Sequence, residues 1–174
     1  MPSPEFSISV HDLDAAGRQF RLPVRAVWIR GALESTDIAP GQGDGQLDLR
    51  LSKSGADVVV RGTLRAELTV PCARCLQPAR ISVDEELSAL ALATGKAHGE
   101  ATDDLDDAEG PDTIGYDGDS LVLDDWVRDE LLLGIPMIPL CSEACPGIRP
   151  QAVESAPGAH VDPRLRPLIS LKKT

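Results

Sequence analysis

The sequence predicts an α+β domain, an antiparallel β-sheet or partly closed barrel with two or three short helices. Three observations lead there. Leu47, Leu49 and Leu51, then Val58 and Val60, then Leu64, Ala66, Leu68 and Val70 alternate with other residues, the period-two mark of half-buried strands. Leu123, Trp126, Val127 and Leu131 share one face at helical spacing. The four cysteines fall into two short-spaced pairs, Cys72 with Cys75 and Cys141 with Cys145. Each pair lets one tight turn aim two thiolates at the same point. Together they supply the four ligands of a closed tetrahedral site, expected to hold a structural Zn²⁺ between two knuckle-like turns.

Taken in order, Phe6, Ile8 and Val10 predict a half-buried strand over residues 5–10, followed by a turn region at Asp12 to Gly17. Pro23 suits a first helical turn. Val24, Val27, Trp28 and Leu33 follow near helical spacing, so a short amphipathic helix is expected to end near Leu33, with Trp28 as a core anchor. Residues 39–45 read as a Gly-rich loop. The alternating run from Leu47 to Val70 is a hairpin turning at Gly55, with Gly62 a candidate bulge or bend. Pro71 has no N–H to give a ladder, so the sheet should stop there and the first cysteine turn should project from its end. Residues 79–91 form the returning strand, which puts Cys72 and Cys75 at a hairpin tip. Ile114 and Tyr116 suggest another short strand. Leu121 to Leu133 is the best helix, with Asp124 and Asp125 in its first turn and Gly134 and Pro136 stopping it. The exit from that helix delivers Cys141.

These elements make one domain over residues 1–147, with a flexible acidic loop near 94–112. A loosely ordered tail follows at 148–174, where Asp162 to Leu171 suggests a short terminal helix. With aromatics at 3%, the core must be built from Val, Leu, Ile and Ala. Charge is distributed unevenly. Residues 1–80 carry 10 Lys/Arg and 9 Asp/Glu, residues 81–147 carry 2 and 17, and residues 148–174 carry 5 and 2. A chain of net charge −11 does not attract a phosphate backbone over its whole surface. Any nucleic-acid contact must come from the first part or the tail, or through a basic protein partner. No run approaches the roughly 18 apolar residues of a membrane span, and the first residues lack a basic segment and an apolar signal core. The expected location is cytoplasmic, where thiols stay reduced and metal binding is favoured over disulfides.

Three readings of the cysteines compete. A structural site ties the hairpin tip to the end of the helix and leaves no open position for water, so no hydrolysis is expected there. Arg74, inside the first turn, would offset part of the thiolate charge. A redox dithiol at Cys72 and Cys75 would want a helix N-terminus after a buried parallel strand, whereas this pair follows an alternating strand. A zinc-bearing turn that also touches RNA could draw on Arg61, Arg65, Arg74, Arg80 and Arg149. The plain alternative is that these arginines are ordinary exposed strand residues. No phosphate-cradling loop and no nucleophile elbow occurs, and His11, His98 and His160 have no ligand spacing.

The run from Val60 through Val70, Pro71, Cys72, Ala73, Arg74, Cys75 and Leu76 resembles the signature of the bacterial YceD family. So does Asp129 to Cys141, with Cys145, Pro146 and Gly147, and the ending Asp162, Pro163, Arg164 with Leu168, Leu171 and Lys172. The resemblance implies a non-enzymatic factor supporting synthesis, processing or stability of 23S ribosomal RNA. Its expected partner is large-subunit ribosomal RNA or a pre-ribosomal particle, directly or through a basic ribosomal protein, with no membrane and no small-molecule substrate. The competing classes are a cysteine-based redox enzyme and a protein that hands zinc to a ribosomal protein.

Overall fold

The computed structural model describes residues 4–93, 112–148 and 164. In chain order the elements are β1 (Ser7–Ser9), a 3₁₀ turn (Val10–Asp12), β2 (Arg18–Val24), α1 (Ala26–Ala32), β3 (Ala39–Pro40), β4 (Gly45–Ser54), β5 (Asp57–Pro71), β6 (Pro78–Ala93), β7 (Asp112–Tyr116), β8 (Ser120–Val122) and α2 (Asp124–Leu133). None of the described helices is long and apolar enough to cross a membrane.

The long alternating run folds as the sequence predicts. β4 and β5 pair antiparallel from Gln46↔Arg65 to Ser54↔Asp57, turning through Gly55 at a φ of 66° that a residue with a Cβ adopts only under strain. β6 runs back along β5 as far as Pro71↔Pro78. The main sheet has the order β2-β4-β5-β6-β7, and β3 pairs with β5 beyond the end of β4. β1 and β8 form a separate two-stranded sheet.

Several expectations need correction. The barrel alternative is not realised, because β2 and β7 each have one neighbour and the sheet stays open. β7 runs parallel to β6, from Ala89↔Asp112 to Ala93↔Tyr116, so the sheet is not wholly antiparallel. The segment between them is long enough for the crossover that a parallel pair requires. Pro23 opens no helix. It lies in β2 opposite Gln46, on an edge strand where the N–H it lacks need not be missed, and α1 begins only at Ala26. Gly62 makes no bulge, since the ladder runs unbroken through Leu49↔Gly62 and Gly62↔Leu87. What requires glycine there is close approach, because a Cβ would stand 2.0 Å from the Asp48 carbonyl oxygen. The first strand is only three residues long, and Leu121 belongs to β8 rather than to the helix. The acidic loop as far as residue 111 and the expected terminal helix lie outside the described residues, Arg164 excepted.

The core lies on one face of the main sheet. Leu47, Leu51, Val60, Leu64 and Leu68 from the strands meet Phe6, Ile29, Leu33, Leu121, Leu123, Val127 and Leu131 from the covering elements. One carboxylate joins three of those elements. Asp124 accepts hydrogen bonds from the main-chain N–H of Glu5 and Phe6, both at 2.9 Å, and from Trp28 Nε1 at 3.0 Å. Trp28 also meets the Phe6 ring edge-on at 4.8 Å, so it acts as the anchor expected of it.

Candidate metal centre

At one end of the β5–β6 hairpin the ladder stops with Pro71↔Pro78, and the main chain then folds into a compact turn. The Cys72 N–H donates to the Gln77 carbonyl at 2.9 Å, and the Leu76 N–H donates to the Cys72 carbonyl at 2.9 Å. Closing the turn puts Leu76 at a φ of 63°, the only positive φ on a non-glycine among the described residues. The second arm leaves α2 through Gly134 and returns beside this turn. The Ala73 N–H donates to the Pro139 carbonyl at 2.8 Å, and the Ile148 N–H donates to the Arg74 carbonyl at 3.2 Å. The Arg74 guanidinium donates to the Cys145 carbonyl at 3.3 Å. Main-chain bonds thus hold the two arms together around the cysteines.

These ties bring all four sulfurs within 4.8 Å of one another. Cys72 Sγ lies 3.8 Å from Cys145 Sγ, and Cys75 Sγ lies 3.6 Å from Cys141 Sγ. The close contacts therefore cross from one turn to the other, and all four thiols are free. Four sulfurs about 2.3 Å from a central ion make a tetrahedron with edges of about 3.8 Å, so the donor set and its spacing fit a metal. Cys72 and Cys145 are buried, Cys75 is half-buried and Cys141 is exposed. Val70 and Ala79 are buried beneath the sulfurs, with Ile38, Ile81, Ile135 and Leu140 packed around them.

The proton affinities are those of a crowded sulfur cluster. Main-chain N–H groups of Cys141 and then Arg74 lower the Cys72 thiol to about 6. At Cys75 the Gln77 N–H pulls downward, but burial and the three neighbouring thiols push the value up to about 12. Cys141 is raised as well, first by Cys145. The Cys72 sulfur can carry charge easily while Cys75 and Cys141 resist ionising, an imbalance that a cation bound among them would remove.

The expected arginine patch is not a single patch. Arg65 pairs with Asp84 at 3.0 Å, Arg74 serves the Cys145 carbonyl, and Arg149 lies outside the described residues. Arg80 stands opposite Thr69, eight residues along β5 from Arg61, which is about 26 Å of strand. Sequence reasoning left out the residue that does stand opposite Arg61, Arg50, and Arg21, which lies in the next row on β2 opposite Asp48. The signal for Arg21 was the alternation of Arg18, Phe20, Leu22 and Val24 with Gln19, Arg21 and Pro23, which a helix reading of Pro23 hides.

Among curated proteins, the chain is 33% identical over 132 residues to uncharacterized proteins of Mycobacterium bovis and Mycobacterium tuberculosis, covering 72% of this chain and 60% of each relative. It is 29% identical over 103 residues to an uncharacterized protein of Mycobacterium leprae, covering 59% of this chain and 44% of that protein. The chain thus spans about 60% of the length of the first of these relatives. No solved structure matches it. Residues 60–172 match the family described as "Large ribosomal RNA subunit accumulation protein YceD". That match spans the β5–β6 hairpin, α2 and both cysteine turns, and by it the chain belongs to the YceD family.

Proposed function

We propose that this protein is a non-enzymatic factor supporting synthesis, processing or stability of 23S ribosomal RNA during assembly of the large ribosomal subunit. The family match over residues 60–172 carries this reading, since the family is named for accumulation of that RNA. In this reading the protein works in the cytoplasm on large-subunit RNA or a pre-ribosomal particle, directly or through a basic ribosomal protein. Residues 1–147 form the working domain. Cys72, Cys75, Cys141 and Cys145 hold a structural Zn²⁺, supported by the four-sulfur spacing and by the preference of Zn²⁺ for closed thiolate sites. With four protein ligands the ion has no open position, so its work is to join the two arms. Elemental analysis of the purified protein should find one zinc per chain, and four free thiols without metal would overturn the zinc assignment. A strain lacking the gene should show a lowered ratio of 23S to 16S RNA that a plasmid copy restores. An unchanged ratio would overturn the ribosomal reading.

A second reading, a protein that passes zinc on, draws on the exposed Cys141 and half-buried Cys75, which leave one side of the cluster open to solvent. Rapid loss of zinc to an acceptor protein would favour it over the structural role.

A further inference from the structure

The face of the main sheet turned away from the core carries a pattern that stability does not explain. Gln19, Arg50, Arg61 and Ser88 stand in one cross-strand row, so the two arginines are directly opposite each other on β4 and β5. Like charges in that position repel. In the next row Arg21 pairs with Asp48 at 2.8 Å, and in the row beyond it Arg65 pairs with Asp84. Arg61 has no carboxylate or carbonyl partner among the described residues. Arg50 is steadied by one bond, from Nη2 to the Ala16 carbonyl at 2.8 Å. Around these side chains lies a shallow groove of about 510 Å³, bordered by Gln19, Arg21, Asp48, Arg50, Arg61 and Thr63 and open along one side. Three guanidiniums stand against the carboxylate of Asp48 and that of Glu86, which faces Thr63 from β6, and the face stays positive by one in a chain whose net charge is −11.

We propose that this groove binds the phosphodiester backbone of single-stranded RNA, with Arg50 and Arg61 holding adjacent phosphate oxygens. Guanidinium forks are suited to phosphate, which they bind through two parallel hydrogen bonds. A phosphate between the two arginines also turns their mutual repulsion into attraction to a shared anion. The open, shallow shape suits a polymer lying along the sheet better than a small molecule enclosed by it. The choice of RNA rests on the ribosomal reading above, and the site itself rests on the arginine row.

The test is fluorescence anisotropy with a labelled single-stranded RNA across a salt series, using the full-length protein. Wild type should bind, and R50Q/R61Q should bind roughly tenfold more weakly. The double variant should also show a salt slope shallower by about 0.7, one phosphate contact fewer on a single strand. R61E alone should weaken binding further than R61Q, and R30Q, on the exposed side of α1, should match wild type. An unchanged melting temperature for R50Q/R61Q would show that weakened binding is not unfolding. Equal RNA affinity in wild type and R50Q/R61Q overturns the site, as does wild-type binding of AMP with no binding of RNA. The ribosomal reading is judged separately. If R50Q/R61Q keeps full RNA affinity while the gene restores the 23S ratio, this face is wrong and the ribosomal role stands. If the wild-type gene restores nothing, the role fails, while the anisotropy result still decides whether the groove binds RNA.

Discussion

In the main core, Leu47, Leu51, Leu64, Leu121 and Leu131 are fully buried within one continuous apolar cluster. At the cysteine end, the buried side chains are Val70 and Ala79 together with two of the cysteines. A buried leucine contributes about 1.5–3 kcal/mol, so the first region can hold its shape by packing alone. The second has too little apolar surface for that, and its two arms reach it from opposite sides of the β6–α2 connection. The difference gives the proposed metal its task. An ion bound there would supply to one end of the molecule what hydrophobic burial supplies to the rest, as in small domains that fold around an ion.

Two substitutions should separate the regions. Leu64→Ala empties a site in the middle of β5 and should cost about 3 kcal/mol, read as a lower urea midpoint for the whole domain. Cys145→Ser should instead release the metal and open one end. In hydrogen exchange, protection of the Ala73, Leu76 and Ile148 amides, which close the cysteine end, should fall by about 100-fold or more. The β5–β6 amides around Val60 and Leu87 should keep theirs. If those amides lost protection equally, the two regions would be one cooperative unit and the contrast would collapse.

The same contrast decides what could be read from the sequence. The β4–β5–β6 meander was legible because a sheet with one buried face writes itself as alternation, and the cysteine turns were legible because two short-spaced pairs are the pattern that brings four sulfurs to one point. The edge strand β2 was not. Pro23 is tolerated there because an edge leaves one side unpaired, yet in sequence it reads as a helix start. Losing β2 also hid the place of Arg21, which comes beside the arginine row only through the pairing of β2 with β4; Arg50 and Arg61 already face each other in the β4–β5 hairpin. The three bonds accepted by Asp124 were beyond reach for another reason. They join it to Glu5, Phe6 and Trp28, and the first-turn position that made Asp124 look like a helix-dipole residue says nothing of such distant partners.

Leu76 sharpens the comparison on a smaller scale. It is exposed, so burial does not hold it in its left-handed conformation; closure of the cysteine turn does. That conformation costs a side-chain-bearing residue about 1 kcal/mol or more. Leu76→Gly relieves the strain but gives back part of the gain in chain entropy, for a net of about 0.5 kcal/mol in favour of the closed turn. Leu76→Val adds β-branching and should cost about 1 kcal/mol. Metal release to excess chelator should therefore slow for the first variant and quicken for the second. Identical release rates in both would mean that the turn is held by its hydrogen bonds and not by the ion.

Glu130 tests the seam between the regions. It lies on α2 one turn before Gly134, where the chain leaves the main core for Cys141. Burial first, and then the charge of Asp112, raise its carboxyl above the ordinary 4.5, with smaller contributions from Glu85 and Asp129. The folded chain therefore holds this proton more tightly than the unfolded chain does. Stability is greatest with the proton on and is lost as pH rises through the raised folded value. Glu130→Gln should raise the melting temperature at pH 7 by about 1 °C, and the advantage should vanish once the pH falls below 4.5. A gain of the same size at pH 4 and pH 7 would instead assign it to helix propensity or packing, leaving no charge crowding at the point where the two regions join.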